Sequence, residues 1–168
     1  LDLNQAVKAE PNNPAYLGQR AQCFQRRGQW AKALDDFDAV IRLNENCHEA
    51  LISRAQIRWM SPDLLLRDSA KGISDARRAC ELTNWKDGRY LEILAGNYDA
   101  AGKYDEAYLW QAKAIDDPAY TRVNGERGLA LLQFYAAKKN AHVPLAPPTA
   151  TYSWSQSNGN AFTIPYLK

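Results

Sequence analysis

Apolar side chains recur at three- and four-residue spacing through most of the chain, which predicts amphipathic helices, and the pattern repeats itself. From Pro14 to Glu45 it reads Leu17, Ala21, Phe24, Gly28, Trp30, Ala33, Phe37, Val40 and Leu43. From His48 to Trp85 it reads Leu51, Ala55, Gly72, Ala76, Ala79 and Leu82, with an interruption after Ala55. From Arg89 to Pro118 it reads Leu91, Leu94, Ala95, Tyr98, Gly102, Tyr104, Ala107 and Ala114. Each stretch predicts a helix with a small residue facing a neighbour, a turn, and a second helix with another small residue. Antiparallel helices approach closely only where one presents Ala or Gly, and larger apolar side chains then fill the wedge between successive pairs. One pair alone cannot bury its apolar faces, so the pairs must stack.

The segments Arg27-Gly28-Gln29-Trp30-Ala31-Lys32-Ala33-Leu34 and Ala101-Gly102-Lys103-Tyr104-Asp105-Glu106-Ala107 resemble the turn and second helix of tetratricopeptide (TPR) repeats. The run from Ala79 to Gly88, leading into Tyr90-Leu91 and Trp110-Gln111, is similar to the last repeats of planctomycete-type bacterial TPR proteins. The resemblance spans residues 1 to 117. It implies an all-α, right-handed solenoid of helix-turn-helix units whose concave face binds other proteins.

On that frame, 1–13 is the second helix of an incomplete repeat, with Leu3 and Ala6 in its packing slots. Repeats follow at 14–46, 47–86 and 87–118, then a capping helix at 119–139 and an extended tail at 140–168. An opening at Leu1 inside a helix suggests a fragment of something longer. In the second repeat, Ala55 to Gly72 spans 17 residues where Ala21 to Ala33 spans 12, so extra residues sit in the turn around Met60 to Leu66. Two readings of Leu64 to Leu66 stand side by side: packing down on their own repeat, or forming an exposed apolar knob. The cap is expected from Asn124 to Lys139, with Leu129, Leu132 and Tyr135 as its stripe and a polar end at Lys138 and Lys139. The last 29 residues hold four prolines, no acid and Lys168 as their one basic side chain. There the flanks of Ser157-Asn158-Gly159-Asn160 suggest a hairpin, and Tyr152, Trp154, Phe162 and Tyr166 are its candidate docking residues.

Composition narrows the function. The chain has 168 residues, 46% hydrophobic and 24% charged, with a net charge of +2, so neither disorder nor a phosphate-neutralising, nucleic-acid-binding surface is expected. No apolar run is long enough to cross a bilayer. Three scattered cysteines, Cys23, Cys47 and Cys80, make no disulfide framework and favour a cytoplasmic setting. The histidines His48 and His142 are expected in loops and belong to no catalytic or metal motif. The acid pairs Asp35-Asp36, Asp105-Glu106 and Asp116-Asp117 read as solvated helix faces or ends. No enzyme, metal or cofactor is therefore expected.

Binding remains. The exposed faces of the first helices nominate Gln19, Gln22, Gln25 and Arg26, then Ile52, Gln56 and Trp59 together with Glu49, then Arg89 and Glu92 together with Asp99. The carboxylate clamp of some TPR proteins would fall on Gly18, Gln22, Ser53, Arg89 and Ile93, where one fitting charge, Arg89, is present. The expected function is an interaction scaffold for an extended peptide. The alternatives are a self-assembly subunit whose tail docks on another copy, and an accessory domain of a longer enzyme.

Overall fold

In the computed structural model the described residues are 2–141, together with the backbone of 153–155 and 161–163. Eight α-helices follow in order: α1 Leu3–Ala9, α2 Pro14–Arg26, α3 Trp30–Leu43, α4 His48–Met60, α5 Ser69–Leu82, α6 Gly88–Ala100, α7 Tyr104–Ile115 and α8 Pro118–Ala141. Their starts are written locally. Asn13 Oδ1 accepts the Ala15 amide at 3.0 Å with Pro14 in the first turn, Asp68 Oδ1 accepts Lys71 N at 3.0 Å, and Asp87 Oδ1 accepts Arg89 N at 3.0 Å. Gly28 and Gly102 end α2 and α6 with φ of 71° and 73°, and in both turns the next amide reaches back five residues, Gln29 to Phe24 and Lys103 to Tyr98, at 2.9 Å. The same turn chemistry thus closes the first helix of two different pairs.

Consecutive helices pack as antiparallel pairs, α2 with α3, α4 with α5 and α6 with α7, and α8 covers α7. Successive pairs meet through α3 on α4, α5 on α6, α4 on α6 and α6 on α8. Where helices cross, Ala21, Ala33, Ala55, Ala76, Ala79, Ala95, Ala107 and Ala114 are completely buried. Around the first four helices the wedges are filled by Leu17, Phe37, Val40 and Ile57, with Val7 of α1. Around the last five they are filled by Trp59, Leu94, Tyr98, Tyr120 and Tyr135.

Five expectations need correction. Asp36 is buried, held by two bonds of 2.8 Å from Arg20, because α2 supplies a guanidinium fork at that crossing. His48 opens α4 instead of lying in a loop, and its Nδ1 is 3.0 Å from the Tyr90 hydroxyl. The last helix begins at Pro118, because Asp117 Oδ1 caps it by accepting the Ala119 amide at 2.9 Å. Its basic end is not simply solvated: Lys138 pairs with Asp99 at 2.6 Å, and Lys139 pairs with Asp105 at 3.0 Å. Its buried residues are Tyr120, Gly128, Leu131 and Tyr135, whereas Leu129 is 50% exposed.

The lengthened turn lies at residues 61–68, with one 3-10 turn at Leu64–Leu66. Of its two readings the exposed knob is the one found: Leu64 is 70% and Leu65 92% exposed. In the tail, Ser153–Ser155 pairs antiparallel with Ala161–Thr163, with Trp154 opposite Phe162. Tyr152, Tyr166, His142 and the side chains of Trp154 and Phe162 lie outside the described residues.

Replacing Ala107 with Leu should wedge α7 from its neighbours at a cost of about 1–3 kcal/mol, lowering the thermal midpoint by roughly 2–4 °C per kcal/mol for a chain of this size; an unchanged midpoint contradicts the packing. Asp117 bridges two helix starts, since its Oδ2 also accepts the Gly88 amide at 2.9 Å. The Gly88 bond, then those of Ala119 and Tyr120, hold its carboxyl below the usual carboxylate range. A carboxyl with a depressed folded-state pKa stabilises above its unfolded value of about 3.9 and loses that contribution as pH falls through the folded value. Urea titrations should therefore show wild type more stable than Asp117→Ala at neutral pH, with the gap closing only below the ordinary carboxylate range.

Candidate functional site

The nominated residues lie on α2, α4 and α6, the first helices of the three pairs. Polar links tie these helices and α8 side by side. Gln25 Nε2 on α2 donates to Gln56 Oε1 on α4 at 3.1 Å. Asn97 Nδ2 on α6 donates to the Ala55 carbonyl on α4 at 3.2 Å. Between α6 and α8, Glu92 accepts from the Tyr120 hydroxyl and pairs with Arg127, while Gln111 Nε2 of α7 donates to the Tyr120 hydroxyl at 3.2 Å and the Gly128 carbonyl at 3.1 Å.

These links sort the nominated residues. Gln19 and Gln22 are exposed on α2. Gln25 is 8% exposed through its bond to Gln56, which is itself half-buried and reaches Met60 Sδ at 3.9 Å. Arg26 is half-buried, its Nη2 3.2 Å from Cys23 Sγ. Arg89 is exposed, and its Nε and Nη2 grip Asp87 at 3.0 and 2.7 Å. Among these residues the Gln25–Gln56 bond is the link between α2 and α4, and Arg89 pairs with the capping acid of its own helix.

Four nominated residues are corrected from surface to interior, Gln25 among them. Ile52 is 6% exposed and Trp59 4%. Trp59 lies flat against Gly96, where an added Cβ would fall 2.2 Å from the indole, so the bare backbone of α6 forms its seat. Glu92 is 1% exposed, closed over by Tyr120 and Arg127. A buried carboxylate is tolerable only with such partners. Asp99, also nominated, is buried enough that its carboxyl is pushed up, opposed by the Lys138 ammonium. The signal for Trp59 was present in the mid-helix Gly96, which costs helix stability and so implies a close approach.

The polar residues that sequence reading missed belong to the crossings. Arg54 reaches Asp75 through Nε and Nη2 at 2.8 and 2.7 Å and Asp38 through Nη1 at 2.6 Å, and Arg58 reaches Asp75 at 2.8 Å. Arg54, Arg58 and Asp38 line an open cleft of about 820 Å³ between α3, α4 and α5, with Arg42 and with Lys71, which pairs with Asp68 at 3.1 Å. A smaller cleft of about 410 Å³ is lined by Trp85, Leu91, Trp110, Lys113 and Asp116. Burial pushes the Cys80 thiol up to about 12, so it is no nucleophile. Among the described residues no cluster of three or more His, Cys, Asp or Glu is placed to hold a metal. None of the described helices is long and apolar enough to cross a membrane.

No family model matches the chain, and no curated protein does so either. Among solved structures, one crystal structure of MamA, a protein of the TPR type, is similar with a TM-score of 0.61 and 18% identity, covering 83% of this chain and 86% of that one. A second MamA crystal structure gives a TM-score of 0.61 and 20% identity, covering 86% of this chain and 85% of that one. At such identities the likeness is one of fold, and the chain is a TPR-like helical solenoid.

Proposed function

We propose that the chain is a non-catalytic interaction scaffold that holds an extended peptide along its first helices, across α2 and α4. Its units are the pairs 14–46, 47–86 and 87–118, flanked by the half-pair 1–13 and the cap 119–139. The observation that carries the reading is the amide strip: Gln25 and Gln56 are locked together at 3.1 Å while Gln19 and Gln22 stand exposed beside them. A primary amide offers both donors and an acceptor, the pair that an extended backbone presents along its edge. Main-chain bonding of this type tolerates sequence variation in the ligand, and Arg26 at the strip's edge favours a ligand with an acid nearby. Trp59, Ile52 and Glu92 are buried and do not touch the ligand.

A self-assembling role for the tail is the second reading. Two short strands pairing Trp154 with Phe162 need a surface to lie on, since an isolated two-stranded hairpin is marginal.

Panning the full chain against a display library of random dodecapeptides should enrich extended, acid-containing binders. Gln19→Ala/Gln22→Ala should weaken the best binder by about 5- to 150-fold, the loss of two hydrogen bonds at about 0.5–1.5 kcal/mol each, with circular dichroism and thermal midpoint unchanged. Retained affinity in the double variant removes the strip from the site, and absence of any enriched peptide removes the reading.

A further inference from the structure

The first helices of the pairs share one register, and α8 shares it too. Ala21, Ala55 and Ala95 stand seven residues after Pro14, His48 and Gly88, the opening residues of α2, α4 and α6. All three are completely buried, each in a helix packed against the second member of its pair. Gly125 stands seven residues after Pro118, the opening residue of α8. It repeats the position without the burial. A Cβ added at Gly125 would meet only the Thr121 methyl of its own helix, at 3.3 Å, whereas at Gly72 and Gly96 it would run into Asn97 and Trp59 of neighbouring helices.

Gly125 opens an uncovered face. Leu129, Leu132 and Ala136 follow it at intervals of four, three and four residues, which places all four on one side of α8. Leu129 is 50% exposed, and the other three are half-buried. A different side carries the buried Leu131 and Tyr135, and α8 packs on α6 and α7. Among the described residues no helix follows α8 to cover it as α3, α5 and α7 cover α2, α4 and α6. A mid-helix glycine weakens its helix, and here no neighbouring helix yet occupies the space it opens.

We propose that the segment 142–168 of the same chain folds back along this face, with the paired positions Trp154 and Phe162 of its hairpin over Gly125 and Leu129. The tether selects this occupant first. α8 ends at Ala141 and the 27-residue segment continues directly from it, so its local concentration at the face is on the order of a millimolar. Size selects it next. One helix side bearing a single half-exposed leucine offers far less than the roughly 1,000 Å² that an untethered protein partner or second copy needs. Reach permits it. From Gly125 to Ala141 the helix rises about 24 Å, and the 12 residues from His142 to Ser153 span up to about 40 Å when extended. Pro144, Pro147 and Pro148 cannot continue a helix, so the cover is a strap and not a second helix. The segment has no acidic side chain, so exposed Glu126 beside Gly125 meets no like charge. The hairpin in turn gains the surface that two strands need. The inference is independent of the amides on α2 and α4.

Thiol labelling of the full 168-residue chain tests the cover. Leu129→Cys should react with N-ethylmaleimide about tenfold or more slowly than the same variant carrying Trp154→Ser/Phe162→Ser, since a docked strap must open before the reagent enters. Leu65→Cys, at a position 92% exposed on a different element, should react equally with and without the tail substitutions. Mass spectrometry of the peptide holding the new thiol keeps Cys23, Cys47 and Cys80 out of the measurement. Ala136→Cys repeats the comparison farther along α8, so that docking weakened by the Leu129 substitution itself does not pass for an open face. Protection should be constant from about 1 μM to about 100 μM protein, as an intramolecular contact requires. Equal rates with and without the tail substitutions at both new cysteines overturn the proposal: both as fast as Leu65→Cys leaves the face open, and both slow gives it a different cover. Protection that grows with concentration also overturns it, in favour of docking on another copy.

Discussion

Everything in this molecule rests on how closely neighbouring helices approach. Eight alanines with no exposed surface mark the crossings, and glycines take over where even a methyl group would not fit. At Gly88 an added Cβ would lie 2.6 Å from Tyr120 and 2.8 Å from the Ala114 carbonyl, so the start of α6, the end of α7 and the start of α8 converge on one bare Cα. Interiors packed to this density do not absorb an extra methylene without displacing a helix. Large aromatics can then fill the wedges between pairs only because the contact points are small.

The polar cross-links follow from the same geometry. Helices brought this near must either remove charge from their crossings or neutralise it there. The chain does the latter: Arg20 with Asp36 between α2 and α3, Arg54 and Arg58 with Asp75 and Asp38 across α3, α4 and α5, and Arg127 with Glu92 between α6 and α8. Ion pairs of this burial add little net stability, yet breaking one partner is expensive, so they set which helices can be neighbours more than how firmly they hold.

The fold was legible to the extent that it is local. Gly28 and Gly102 lie at turns that need φ near 70°, Asn13-Pro14 opens a helix, and Ala33 and Ala107 recur at matching positions. Each of these is decided within about five residues of chain. The site was legible only in part. Gln19 and Gln22 are on the surface as the periodicity predicts, but Gln25, Ile52, Trp59 and Glu92 are not, because a 3.6-residue period gives the direction of a side chain and says nothing of what lies beyond it.

The sequence by itself therefore determined the repeat, its turns and the positions of its small residues, since helix capping and turn conformation depend on neighbours along the chain. Only the tertiary structure decided the fate of the long side chains. Trp59 is interior because Gly96 leaves it a seat, and Glu92 is interior because Tyr120, 28 residues onward, and Arg127 close over it. Leu64 and Leu65 are outward because buried Ser61 and the Asp63 cap turn their loop away from the core. In each case the deciding atom comes from a different helix or from the path of the loop, and neither is written in the local pattern of apolar and polar residues.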